Sequence, residues 1–298
     1  MQFLKRNRGL VNYLAKKITR RHLRNISKEY IETRDQLAMF SFDFISQMIS
    51  VDGRYEDIEL NLIEKLFSGR LDKKVILDVG ANIGNHTVAF SKISKKVYAF
   101  EPNIFIFDLL KINTRKIKNI QIFNFGASDR NQSTLAKIPK LNWGGGSLTL
   151  DEKNSKPNKF FEVMFKLKSL DSIKLFSKAN IGMIKIDVEG HELQAFKGMK
   201  SLLTKNKPII IFEQNRGIFN QTSDEIKFLQ SIGYKYLYEF NKTDDWITPS
   251  YFPKFFRSLF RFCEVLIFGE PTSEFKLNLI TRLEKKSYDM LMFSYDPL

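Results

Sequence analysis

Apolar positions along this chain change their period twice. From residue 4 to about 67 they recur at helical spacing. Leu4, Leu10, Leu14 and Ile18 stand among Lys and Arg, Met39, Phe42, Ile45 and Met48 form a second stripe, and Leu60, Ile63 and Leu66–Phe67 a third. Stripes of this kind ordinarily face a core. From about 73 to 213 short unbroken apolar runs alternate with helical patterns; the runs are Val75–Val79, Val97–Phe100, Ile120–Phe125, Met183–Val188 and Ile209–Phe212. Unbroken runs mark strands buried on both faces, which predicts a doubly wound, mostly parallel sheet with helices on each side. A helix is then predicted near 222–232, with Thr222 and Glu225 at capping-box spacing and Gly233 beyond its last turn. Tyr234–Phe240 and Tyr288–Tyr295 read as strands. The stretch between them, about 241–287, is too long for a hairpin loop and is expected to be an insertion. Its middle, SYFPKFFRSLFRFCEVLIFGEP, mixes Phe with Lys and Arg; such a helix suits a membrane surface, a cover over a cleft, or a sheet edge. The pattern divides the chain into a basic helical region over 1–70 and an α/β domain over 71–298 that carries the insertion.

Composition adds bounds. With 298 residues, 43% of them hydrophobic, the chain can bury one large core, and an aromatic share of 13% argues against disorder. A net charge of +15 favours anionic partners (phosphates, acidic glycans, nucleic acid or an anionic membrane face) without choosing among them. The single cysteine, Cys263, excludes an intramolecular disulfide and a cysteine-based zinc cluster, and its apolar neighbours predict a buried thiol. No run approaches the roughly 20 apolar residues of a membrane span, and the basic N-terminus lacks the apolar core of a secretory signal. A cytoplasmic location is expected, extended by peripheral contact with the inner face of a membrane.

The strongest local motif is VILDVGANIGNHTVAF, residues 75–90, a buried strand leading through a glycine turn into a helix. Gly80 and Gly84 allow backbone to approach a ligand, and the helix start offers free N–H groups. This suits a nucleoside at the carboxyl end of the strand. Glu101 closes the next run, 21 residues after Gly80, where a carboxylate can accept from both hydroxyls of a ribose. A dinucleotide fingerprint would place glycine where Asn82 stands. Asp78, just before the turn, would repel a pyrophosphate and suit the ammonium of a methionine moiety. Charge therefore favours S-adenosylmethionine over NAD.

Together VILDVGANIGNHT, AFEPN, FGASD, NWGGGSL and above all IKIDVEGHELQAFKG resemble the FkbM-type methyltransferases, with FSFDFISQMISVDGRYEDIELNLIEKL resembling that family's lead-in helices. The likeness runs from about residue 40 to 213. It implies a Rossmann-like, seven-stranded class I fold, S-adenosylmethionine as donor, and a hydroxyl of a sugar, glycolipid or secondary metabolite as acceptor. It further implies that Asp78, Gly80, Asn82 and Gly84 line the methionine end, that Glu101 holds the ribose with support from Asn103, and that Ala127, Ser128 and Asp129 lie by the adenine. The segment 241–287 departs from the family pattern.

IKIDVEGHE gathers Asp187, Glu189 and His191 at the end of one strand. Any of the three can serve as the base that takes the acceptor's proton. The competing readings give Asp187 a contact with the ammonium or a backbone N–H, Glu189 a loop-orienting role and His191 a helix cap; a metal held by imidazole and carboxylate is a lesser alternative. Asn142 and Trp143 in NWGGGSL, and Glu213 at the end of the fifth run, are expected at the acceptor. His86 reads as structural and His22 as solvated. The rival functions are a nucleic-acid methyltransferase, disfavoured because DVEG stands where base-amino enzymes carry an Asn/Asp-Pro-Pro-aromatic motif, and a nicotinamide-linked oxidoreductase. A third is a binding module for nucleic acid or membrane.

Overall fold

The computed structural model describes residues 9–33, 35–146, 159–214, 223–244, 247, 253–269, 271, 273–281, 283 and 288–298. In chain order the elements are α1 (Leu10–Thr33), α2 (Phe44–Asp52), α3 (Asp57–Phe67), β1 (Val75–Val79), α4 (Asn85–Ser91), β2 (Lys96–Phe100), α5 (Ile104–Thr114), β3 (Ile120–Phe123), β4 (Gly126–Ala127), β5 (Gln132–Pro139) and β6 (Phe160–Lys168). There follow α6 (Lys174–Ser177), β7 (Ile181–Ile186), α7 (Glu192–Lys197), α8 (Lys200–Asn206), β8 (Ile209–Gln214), α9 (Asp224–Ser231), β9 (Tyr236–Asp244), α10 (Lys254–Phe268), β10 (Ser273–Ile280) and β11 (Tyr288–Ser294).

The main sheet has the order β10-β9-β11-β8-β7-β1-β2-β3. Strands β3, β2, β1, β7 and β8 are parallel neighbours, and β11 runs antiparallel between β8 and β9. The seven expected strands are all present, and the edge strand β10, antiparallel to β9, makes an eighth. Every residue of β1 is buried. Its side chains alternate between faces: Leu77 and Val79 meet Phe176, Phe196 and Phe212, while Ile76 meets Leu60, Ile63 and Phe67 of α3 and Phe90 of α4. The stripe 60–67 thus shares a core with the sheet. Burying each such side chain stabilises the fold by about 1.5–3 kcal/mol.

Three expectations change. The stripe Leu10, Leu14, Ile18 lies on the outside of α1 rather than in a core; Leu4 falls outside the described residues. Helix α9 is capped by Ser223, whose side chain accepts from Ile226 N; Thr222 lies outside the described residues. Cys263 is exposed, because the apolar arc of α10 that carries it faces solvent. A second sheet, β4-β6-β5, was not anticipated. Its strand β6 alternates exposed and covered residues and packs Phe165 and Leu167 with Ala136 and Ile138 into a small core of its own.

Strand ends β1, β2, β3 and β7 are knitted together at their carboxyl side. Gly80 N and Ala81 N donate to Phe100 O, Glu101 N to Phe123 O and Asp187 N to Val79 O. The chain turns away from each strand at this edge, which opens a crevice.

Candidate functional site

The crevice has a volume of about 200 Å³. Its floor is the turn after β1. Gly80 sits at φ +83°, and a Cβ there would lie 1.7 Å from the Asp187 carbonyl oxygen. The absent side chain therefore makes room for the β7 backbone, not for a ligand. Gly84 does not reach the crevice wall; a Cβ on it would come 2.8 Å from Leu110 in α5, so it serves helix packing. Asn82 takes the left-handed conformation at φ +51°, and its Oδ1 accepts from Ile83 N at 2.7 Å.

Glu101 closes one side. Its Oε2 accepts from Asn82 N at 3.0 Å and its Oε1 from Asn103 N at 2.8 Å. Burial pushes this carboxyl up to about 7, against the pull of those two N–H groups. Asn103 caps α5 by accepting from Phe105 N, and its Nδ2 donates to Trp143 O at 2.9 Å. Trp143 packs edge-on against Phe40, Phe42 and Phe161. The 142–146 loop is thereby part of the wall; Ser147 and Leu148 fall outside the described residues. Asn142 belongs to this wall, and its buried Oδ1 has no hydrogen-bond partner.

Opposite stands a carboxylate cluster. Strand periodicity puts Lys185 and Asp187 on one side of β7, with Lys185 Nζ 3.1 Å from Asp187 Oδ2. Burial alone would raise Asp187, but the Lys185 ammonium and its hydrogen bond hold it below the ordinary carboxylate range. Burial works against the Lys185 charge, yet Asp187, Asp78 and Glu56 together raise its pKa. Glu213 shares a hydrogen bond with Asp187. Burial and then the charges of Asp187 and Glu189 push Glu213 up to about 8, so it carries the proton between the two. Surrounding protein, then Asp187 and Glu192, push Glu189 up to about 7 against the pull of Lys185. Its φ of +53° turns its carboxylate onto the crevice wall. Tyr55, Asp187 and Glu213 also line an adjoining hollow of about 190 Å³, which adds Glu56, Glu59 and Lys185.

His191 lines the crevice, with Nε2 2.9 Å from Ser128 Oγ. Burial lowers its pKa while Asp129 raises it, and burial wins. It occupies the N-cap position of α7 but makes no side-chain cap bond. Glu192, the first residue of the helix, ties down the preceding loop instead: its Oε1 accepts from Val188 N and Gly190 N. Ala127 reaches the wall; Ser128 and Asp129 do not, since Ser128 is turned toward His191 and Asp129. Asp78 lies beneath the floor, fully buried, with Thr87 Oγ1 donating to its Oδ2. His86 is paired with Glu56 at 2.9 Å. Among the described residues no three His, Cys, Asp or Glu side chains group as metal ligands would.

Sequence reasoning did not single out Tyr55, Lys185 or Asn85. Asn85 grips the Tyr55 backbone from both sides, accepting from its N and donating to its O, and so fixes the lead-in segment against the crevice. A lysine inside an unbroken apolar run was the one available signal for Lys185.

A family model described as the methyltransferase FkbM domain matches residues 78–236. The hexuronic acid methyltransferase AglP of Haloferax volcanii is 26% identical over 61% of this chain and 74% of its own length. The crystal structure of an FkbM methyltransferase from Methylobacillus flagellatus overlays with a TM-score of 0.41 at 17% identity, covering 71% of this chain and 54% of that one. This chain thus spans about half the length of that solved chain. A SAM-dependent O-methyltransferase from Thermotoga maritima overlays with a TM-score of 0.36 at 9% identity, covering 84% and 70%.

Two outcomes are expected from this geometry. Gly80→Ala places a Cβ against the Asp187 carbonyl at a left-handed residue and should cost about 3 kcal/mol in urea unfolding; an unchanged midpoint contradicts the steric reading. Glu213 ionises at about 8 in the folded chain against 4.5 as an ordinary glutamate. Across that window the folded chain holds a proton the unfolded chain has lost, so this group makes stability fall as pH rises. Glu213→Gln should remove that slope and gain on the wild type between pH 5 and 8; parallel stability profiles contradict the shared proton.

Proposed function

This chain belongs to the FkbM methyltransferase family, and from that premise we propose that it transfers the methyl group of S-adenosylmethionine to a sugar hydroxyl. One observation carries the reading. In a chain of net charge +15, the described residues that line the crevice include four carboxyl groups, Glu101, Asp187, Glu189 and Glu213, and no Lys or Arg. Such walls favour a sulfonium cation and oppose the phosphates that a nicotinamide dinucleotide or a nucleic-acid acceptor would bring.

The donor supplies a methyl carbon made electrophilic by its positive sulfur. Glu101, each oxygen retaining a free lone pair beyond its backbone bond, would accept from the ribose hydroxyls with Asn103 behind it. Asn82 and Gly80 would border the methionine end and Ala127 the adenine, with Asn142 on the wall beside Trp143. Asp78, beneath the floor, is left to position α4 through Thr87.

The relative from Haloferax volcanii is named for a hexuronic acid, which supports a sugar acceptor. The carboxylates of this crevice suit the sugar's hydroxyls rather than a further carboxylate, since ionised Asp187 and proton-bearing Glu213 offer an acceptor and a donor side by side. Trp143 supplies an apolar face beside them. We assign removal of the acceptor's proton to Glu189, because it lines the crevice and a carboxyl pushed up to about 7 is basic enough to take a proton while about half ionised at neutral pH. Asp187 is a weaker base, held ionised by Lys185. His191, its Nε2 engaged by Ser128, positions the loop.

Titration calorimetry with S-adenosylmethionine and with NAD tests the donor: heat of binding is expected from the first only. Labelled methyl transfer into neutral glycans and into uronic-acid glycans then tests the acceptor. Glu189→Gln should lower kcat by about 10²–10⁴ with donor affinity preserved, and His191→Ala by far less. The reverse ranking overturns the assignment of the base.

A further inference from the structure

Helix α10 is turned inside out relative to a helix packed on a soluble core. Its half-buried residues are Arg257, Arg261, Glu264 and Val265, spaced i, i+4, i+7, i+8, which is one face. That mostly charged face lies against the protein. The opposite arc is apolar and points outward: Phe262 is 59% exposed, Leu266 69% and Ile267 71%. Leu259 and Cys263 belong to the same arc and are exposed as well. Just before the helix, Ile247 is 70% exposed. Water is a poor medium for so continuous an apolar arc, and monomeric proteins seldom present one.

We propose that α10 docks the enzyme on an anionic lipid bilayer, its outward arc entering the acyl boundary while its charged face stays with the protein. The helix has 15 residues, about 22 Å at 1.5 Å per residue, short of the roughly 30 Å hydrocarbon thickness. No helix among the described residues is long and apolar enough to cross a membrane, so α10 lies in the interface plane. Charge selects the occupant. A chain of net charge +15 repels a second copy of itself and is drawn to an anionic leaflet. Exposed Lys16, Lys17, Arg20, Arg21 and Arg24 of α1 belong to the same surplus. The surface lies outside the crevice residues, so the proposal stands apart from the assignment of donor and acceptor.

Cys263 is the only cysteine in the chain and lies on the arc, so a polarity-sensitive fluorophore can be attached there with no substitution in the chain. Vesicles of phosphatidylcholine with phosphatidylglycerol should shift its emission to the blue and make it accessible to a lipid-borne quencher. Phosphatidylcholine alone should bind about tenfold more weakly or worse, and salt should weaken the anionic partition. Phe262→Glu with Leu266→Glu, both at exposed positions, should reduce vesicle binding at least about tenfold and leave the unfolding midpoint unchanged. An emission that ignores vesicles, or binding untouched by the double substitution, overturns the proposal. So does a blue shift that grows with protein concentration in the absence of lipid, which would mark the arc as a contact between copies.

Discussion

The architecture of the crevice depends on one carboxylate. Glu101 takes a hydrogen bond from the backbone of the turn after β1, at Asn82, and another from the start of α5, at Asn103. Those two points belong to different crossovers, and nothing in sheet pairing alone sets their separation. Through Asn103 the same clamp reaches the Trp143 loop, and through Asn82 it fixes a left-handed turn. A charge held in this way is costly to bury, and the two N–H groups offset part of that cost. The remaining lone pairs face the crevice, where a ligand that donates hydrogen bonds would recover more.

The second organising feature is the contrast of charge. Lys185 is buried beneath the crevice wall, where it holds Asp187 ionised without presenting its own ammonium to the crevice. Around it Glu213 and Glu189 are pushed upward by burial and by the charge of Asp187. The walls therefore combine fixed negative charge with groups that exchange protons near neutrality, the combination required to attract a cationic donor and to accept a proton from its partner. On the proposed reading, methyl transfer would discharge the sulfonium, and the spent donor would lose the attraction of these walls.

Much of this was legible in the residues. The run Val75–Val79 coincides with β1 because a strand buried on both faces shows no alternation of polarity; its one polar residue, Asp78, is buried and hydrogen-bonded to Thr87. Glycine turn, Glu101 and the DVEGHE segment meet at one sheet edge because parallel strands all end there. Less legible were features set by partners distant in sequence. Asp78 is taken by Thr87, and Ser128 by His191, so neither reaches the wall. The glycines make room for protein backbone and for Leu110. Helical periodicity identified the stripe of α1, and the mixture of Phe with Lys and Arg the amphipathic helix α10, but neither says which medium the apolar side faces; both point outward. The alternation in β6 was a readable period-2 signal for the second sheet that the search for unbroken runs passed over.

The central claim is that Glu101 both builds the crevice and holds the donor nucleoside. Titration calorimetry of S-adenosylmethionine against wild type and Glu101→Gln addresses it directly, since glutamine keeps the side chain's volume and loses its charge. The account predicts affinity weaker by about tenfold or more, as expected for hydrogen bonds to a charged group. Equal affinity in a folded variant would contradict it.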